Sequence, residues 1–470
     1  MKVTQVAICP SDASKRAGRP ALTPELLAAS GARYSRNNEG LESILAKIDP
    51  ANLEKSVESI FRMVDYGHQS IADMVPVAMF MDGISIWLAY YIWTLCPTAG
   101  GQESSTRYLK LSEEGLVSPE VLGIPSEHIQ PWRELMRNCF EAYQSAVACW
   151  EKLARENPAL LGIPRSLLND SSEAAQKKVA RMRRNYAFDR ARYLLPVSAA
   201  TNVMMIMSAR GWVNLCQYLL SQRLPEPRQL GELIRAELEI AAPRMLKYAR
   251  ATEPNQQVLA DEFASLVQRA SLRPSEPENP FGQGAVSAKP FLAVMPPEGC
   301  SHAEISNGLG HHSNRYAPFG SWLQRTAVRF GWSSIGFAEI RDLNRHRTGT
   351  KHCPQVPSGF YCALDQLTGE ATSYQAPLLK LTESGSLASS QALEILKKSE
   401  PTYIYWSVLG TEYPFEHTTT ADKFIYEAEL RTGLGAHFRY ARHLRDVLEL
   451  WYAEFPTTKG LILEGSAEPE

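Results

Sequence analysis

The chain has 470 residues, 44% hydrophobic and 21% charged, enough for two or three domains with substantial cores. Its 49 basic and 51 acidic residues leave a net charge of −2. That excludes the global basic field of a nucleic-acid-binding protein and directs any cationic site toward a small anion.

From the N-terminus, MKVTQVAICPSD has one Lys and no long apolar core, so it is not a secretory signal. TQVAIC (4–9) is strand-like, and LTPELLAASGA (22–32) opens a helix with Thr23 as N-cap and Pro24 at the first helical position. Apolar spacing predicts a helix over 51–66 and a strand in part of 75–82. The long apolar stretch 74–97 is interrupted by Asp82 and Gly83, whereas a membrane span needs about 20 apolar residues without a central charge. No membrane association is expected. Further helices are predicted over 127–155, 172–190, 199–223 and 229–248. Residues 270–290, rich in Pro, Gly and Ser, read as a linker between a first copy, 1–269, and a second, 291–470. The second copy opens with strand-like runs at 291–295 and 326–330. The class is α+β, helix-rich, with small mixed or antiparallel sheets. The eight cysteines are scattered without CxxC pairs, so they read as reduced thiols of a cytoplasmic protein, with no disulfide framework and no metal site. Cys96 and Cys353 each precede a proline but come with no base motif, and read as structural.

The copies rest on three landmarks in the same order. Phe80 and Phe330 are 250 apart, as are Leu95 and Arg345; GHQS (67–70) and GHHS (310–313) are 243 apart; YLLPVSAAT (193–201) and TEYPFEHTT (411–419) are 218 apart. Such a period is far longer than that of a solenoid repeat.

The stretch EIRDLNRHRTGTK (339–351) sets Arg341, Arg345, His346, Arg347 and Lys351 against Glu339 and Asp342. Guanidinium forks beside a flexible Thr-Gly suit a phosphate or carboxylate, and equally describe a solvated basic loop. The segments LTPELLAASGARYS, GHQS, QESSTRYL, ARYLLP and SARGWVN, with RHRTGT in the second half, together resemble the flavin-dependent (alternative) thymidylate synthase family. That family carries RHR and a glutamate-serine-arginine run in one loop, whereas here they are split. The first copy has QESSTRY (102–108) but Leu95, Cys96 and Pro97 in place of RHR; the second has Arg345, His346 and Arg347 but CPQVPSG in place of the other half. The surviving halves are complementary.

The resemblance implies the following roles. Ser105, Thr106 and Arg107 hold a nucleotide phosphate with Arg192, whose counterpart at offset 218 is Gly410. His68, Ser70, Arg210 and Asn214 contact a flavin, as do Arg345, His346, Arg347 and His443. Glu103 faces the flavin or orients Arg107. Arg345 and Arg439 contact the base, with Arg442 a rival for Arg439. Asp342 stands where the family has a neutral glutamine; a carboxylate there favours an amino-bearing base, unless it pairs with Arg341 or Arg345. The implied activity transfers a one-carbon unit from methylenetetrahydrofolate to C5 of dUMP with reduced FAD, and NADPH as reductant. It places Arg345, Arg439 and Ser105 at the reaction centre, in a homodimer that mimics the family's tetramer. The alternatives are the same scaffold acting on another nucleotide or small anion, and a non-catalytic nucleotide- or flavin-binding paralogue.

Overall fold

A computed structural model describes residues 1–6, 22–35, 41–48, 52–65, 69–104, 113–273, 288–433 and 436–465. The chain forms two compact units. The first takes in Met1–Leu111, Gly115–Pro125 and Ala199–Ala264, the second Ser112–Glu114, Ser126–Ser198 and Ser265–Glu470. This division does not coincide with the two sequence copies, because residues 126–198 of the first copy pack within the second unit.

The first unit holds an antiparallel sheet of β1 (Lys2–Val6), β2 (Pro76–Ser85), β3 (Gly100–Glu103) and β4 (Ala200–Ser208), in the order β1-β2-β4-β3. The second holds β5 (Pro290–Met295), β6 (Ala327–Gly336), β7 (Thr350–His352), β8 (Gly359–Phe360) and β9 (Thr411–Thr420), in the order β5-β6-β9-β7, with β8 also on β9. The strand order repeats, and so do the details. In each sheet the second strand carries a bulge, between Asp82 and Ile84 and between Trp332 and Ile335, and then runs directly into a helix, Ile86–Leu95 or Phe337–Leu343. The strands β4 and β9 likewise run into the helices Ala209–Leu220 and Ala421–Thr432.

This geometry corrects the sequence alignment. The helix starts Ile86 and Phe337 are 251 apart, not 250. One residue matters in a strand, because it moves every side chain to the other face. At offset 251 the buried Val77, Met79 and Met81 match the buried Val328, Phe330 and Trp332; at 250 the buried Phe330 would match Phe80, which is 42% exposed. Likewise the helices after β4 and β9 start at Ala209 and Ala421, an offset of 212 rather than 218, so Arg192 corresponds to Ile404 and not to Gly410.

The same offset exposes a local two-fold inside the second unit. Pro196 pairs with Val408, its own counterpart at 212. Val197 N donates to Ser407 O at 3.1 Å, and the equivalent Leu409 N donates to Leu195 O at 2.8 Å. The long helices Ser126–Glu156 and Gln375–Lys397 pack on each other in that unit.

Most expected helices form, including Pro24–Tyr34 with Thr23 capping the Leu26 amide. The helix expected over 199–223 is wrong in its first part. Residues 200–208 (ATNVMMIMS) are β4, and the helix begins only after Ser208, whose hydroxyl accepts from Gly211 N. Three methionines with high helix propensity masked a strand whose burial alternates in part.

Candidate functional site

The described site residues are divided between the two units. In the first, the helix Ser70–Asp73 lies beside the helix Ala209–Leu220, and Asp73 Oδ2 accepts from Arg210 Nη1 at 2.8 Å. Ser70 is exposed at the start of its helix, and Asn214 is exposed one turn beyond Arg210. Glu103 ends β3 opposite Val203. His68, Ser105, Thr106 and Arg107 lie outside the described residues.

In the second unit the structure joins Arg192, Asp342 and Arg345. Arg192 sits just after the helix Glu173–Ala191, where the chain turns toward the local two-fold, and Asp342 lies in the helix that follows β6. Arg192 Nη2 donates to Asp342 Oδ2 at 3.0 Å, with side chains 6% and 15% exposed. Arg345 Nε is 4.0 Å from the other carboxylate oxygen, and its side chain is 51% exposed. Burial opposes ionisation of Asp342, but Arg192, Arg345 and Arg431 hold its carboxyl well below the usual range. Asp342 is therefore an anion engaged by arginine, as the ion-pair alternative required, although the main partner is Arg192 rather than Arg341 or Arg345. Arg192 Nε is buried and has no hydrogen-bond partner among the described residues.

His346 turns inward. It is buried, and its Nε2 accepts a hydrogen bond from Arg431 Nε at 2.7 Å, so the ring proton is on Nδ1. Burial, reinforced by Arg431, pushes the imidazole down to about 3. Arg347 is half-buried on the same loop.

Arg439 does not stand free beside a ligand. It is 3% exposed and lies between two carboxylates, Glu339 Oε2 at 3.1 Å and Glu412 Oε1 at 2.5 Å, with Tyr361 stacked 3.3 Å from its guanidinium carbon. Tyr193 Oη donates to Glu339 Oε1 at 2.6 Å. Burial pushes Glu339 and Glu412 up, against the pull of Arg439. Gly336 makes this packing fit, since a Cβ there would stand 2.6 Å from Glu339 Oε2. Arg439 is thus a core ion pair whose charge is already neutralised. Arg442, its rival, is exposed and paired with Asp365 at 3.0 Å. His443 is buried beside Trp332, 5.7 Å between ring centroids, with neither ring nitrogen hydrogen-bonded among the described residues. Burial first, then Arg439 and Arg442, keeps it neutral.

Sequence reasoning missed Glu339, Glu412, Tyr193, Glu427 and Arg431. Glu339 stood in the quoted basic stretch, three residues before Asp342; the others carry no local signal. The thiol of Cys96, buried and pushed up to about 12 by burial, is no nucleophile. No cluster of metal-ligating side chains occurs among the described residues, and no helix among them is long and apolar enough to cross a membrane.

Of the cations on the 345–351 loop Arg345 is the most exposed, beside a glycine-containing turn, and a guanidinium there has the chemistry to take an anion.

Comparison with known proteins finds the following relatives. UPF0159 protein Ta1429 of Thermoplasma acidophilum is 25% identical over 92% of this chain and 93% of its own length. A flavin-dependent thymidylate synthase of Clostridium tetani is 23% identical over 48% of this chain and 82% of that protein. The crystal structure of a UMP/dUMP methylase, PolB from Streptomyces cacaoi bound with 5-Br dUMP, is 16% identical and covers 53% of this chain and 93% of that one, at a TM-score of 0.31, too low to establish a common fold. Residues 21–244 match the family described as thymidylate synthase complementing protein. That match covers just under half of the chain, which is about twice as long as the matched segment.

Proposed function

We propose that the chain is a flavin-dependent thymidylate synthase-like enzyme that transfers a one-carbon unit from methylenetetrahydrofolate to C5 of dUMP. Its carrying observation is the second-unit anion site, Arg192, Asp342 and Arg345, in a chain whose first half matches a thymidylate synthase family. In this reading Arg345 and Arg347 hold the phosphates of FAD or nucleotide through charge-assisted forks. Ser105, Thr106 and Arg107 hold the nucleotide phosphate, and Ser70, Glu103, Arg210 and Asn214 border the flavin with His68. Reduced flavin, when bound, supplies the electrons that complete the one-carbon transfer, with NADPH as the source. The protein's own part in this reading is positioning and charge, supplied by its arginines. Two chains associate as a homodimer.

One observation favours a second reading. Arg439, the cation implied for the base, is enclosed by Glu339 and Glu412 and is not available to stabilise charge on a pyrimidine carbonyl. That supports the same scaffold acting on a different nucleotide or small anion, or a non-catalytic nucleotide-binding paralogue. The engagement of Asp342 by Arg192 removes one reason for preferring a cytosine base, since a carboxylate occupied by an arginine has less capacity to accept from an amino group.

The visible absorption spectrum of the purified protein, with and without dUMP, tests the proposal. The expected result is a bound flavin whose bands shift with dUMP, lost in Arg347→Ala and kept in Cys96→Ser. Equal flavin content in wild type and Arg347→Ala would remove the flavin assignment. Conversion of dUMP to dTMP, assayed with methylenetetrahydrofolate and NADPH, separates the first reading from the second.

A further inference from the structure

The loop after the helix Phe337–Leu343 carries Arg345, His346, Arg347 and Lys351 within seven residues. His346 and Lys351 turn back into the protein. Lys351 Nζ donates to the His346 carbonyl, and to the Thr348 carbonyl at 3.4 Å. The Thr348 carbonyl also accepts from His417 Nε2 at 2.6 Å, and His417 Nδ1 lies 3.0 Å from Glu427 Oε2, both side chains buried in the core. Arg431 holds His346 through Nε, and its Nη2 donates to the Asp342 carbonyl at 3.2 Å. Gly349, at φ +66°, closes the turn against β9, where a Cβ would stand 2.0 Å from the Thr418 carbonyl.

No step of the proposed one-carbon transfer calls on Lys351, His417, Glu427 or Arg431. Burying charged groups costs desolvation, and apolar side chains could fill the same volume. What these four fix in common is the backbone from Asp342 to Thr348, the platform from which Arg345 faces solvent.

We infer that Lys351, His417, Glu427 and Arg431 are positioning residues that hold the loop 345–349 so that Arg345 presents its guanidinium to a phosphate-bearing ligand, without touching that ligand themselves. A loop fixed before binding loses less freedom when the ligand arrives, so the network acts on affinity. The inference rests on the nucleotide reading above for the identity of the ligand, but not for the geometry of the loop.

A double-mutant cycle on the full chain tests it. Lys351→Met, Arg345→Ala and the double variant are titrated with dUMP at two salt concentrations, and amide hydrogen exchange of residues 345–351 is followed without ligand. Lys351→Met is expected to weaken dUMP binding about tenfold with the wild-type salt dependence, whereas Arg345→Ala weakens it and flattens that dependence. The double variant should be no weaker than Arg345→Ala alone, and loop exchange should be faster in Lys351→Met. Additive losses, or a flattened salt dependence in Lys351→Met, would overturn the inference, because Lys351 would then contact the ligand. A wild-type protein that ignores dUMP sinks the nucleotide reading instead, and loop exchange then decides alone. Unchanged exchange in Lys351→Met and Glu427→Gln refutes positioning, while faster exchange in both upholds it. If Lys351→Met does not fold, Glu427→Gln takes its place in the cycle.

Discussion

The two sheets share a strand order and a bulge, yet they bury different chemistry. The inner face of the first is apolar: Val77, Met79 and Met81 on β2 meet Val203 and Met205 on β4, and the buried Glu226 of that unit is met by the amide and hydroxyl of Ser85. The second places Val328, Phe330 and Trp332 opposite Phe415 and His417, and surrounds them with Glu339, Glu412, Glu427 and Arg439, all buried. Topology therefore set where the chain runs but not what its core holds. The second copy keeps buried charges in its core, with Arg439 held between Glu339 and Glu412 and Glu427 beside His417.

Removing the central cation should expose this difference most strongly. Arg439→Met leaves Glu339 and Glu412 buried without their shared partner, and a loss of about 3–5 kcal/mol is expected in denaturant unfolding. A variant as stable as wild type would show that the two carboxylates do not depend on Arg439.

The register difference can be broken directly. Phe330→Ala should cost about 3–5 kcal/mol because the ring is fully buried, while Phe80→Ala, which offset 250 would make its equivalent, should cost about 1 kcal/mol or less. Similar losses in both would restore the offset of 250.

The acid response of the second unit tests the same buried charges by pH. Folded His346 titrates at about 3 against an ordinary value of 6.5, so between those pH values the unfolded chain binds a proton that the folded chain refuses. Its contribution is full above 6.5 and is lost as the pH falls toward 3. Over that window the stability of His346→Gln should fall with pH less steeply than wild type, by up to about one proton. An unchanged slope would mean that His346 is protonated in the folded protein.

The smallest effect concerns two helix ends. In the first unit Gly123 closes the helix Pro119–Leu122 at φ +78°; in the second Ser399, at φ +61°, follows Gln375–Lys397. Ser399→Gly should stabilise by about 0.5–1 kcal/mol, measured as a small rise in Tm, because glycine alone takes that conformation without strain. No rise would mean that the serine side chain contributes there more than the strain removes.

Much of the helix content was legible because apolar spacing and caps are local, as at Thr23-Pro24. The strands β3, β4, β7 and β9 were not. β3 and β7 are only four and three residues long, β4 is rich in methionine, and β9, TEYPFEHTTT, contains a proline and two carboxylates that are acceptable only because the tertiary fold supplies Arg439 and Arg329 to them. In the site, the sequence left open whether Asp342 faces a base or pairs with Arg341 or Arg345; its main partner, Arg192, lies 150 positions away in sequence, where no local pattern points to it. Arg439 and His346 looked like ligand-binding cations because a sequence shows the charge of a residue without the carboxylate or guanidinium that faces it.

The residues alone determined the α+β class, the doubling and the resemblance to a thymidylate synthase family over most of 20–240, since each follows from local pattern or motif. Tertiary structure decided which cations are free. Arg345 stays at the surface, while Arg192, His346, Lys351 and Arg439 are each taken up by a partner brought close by the fold, because an ion carried into the core must be paired there or lose its charge.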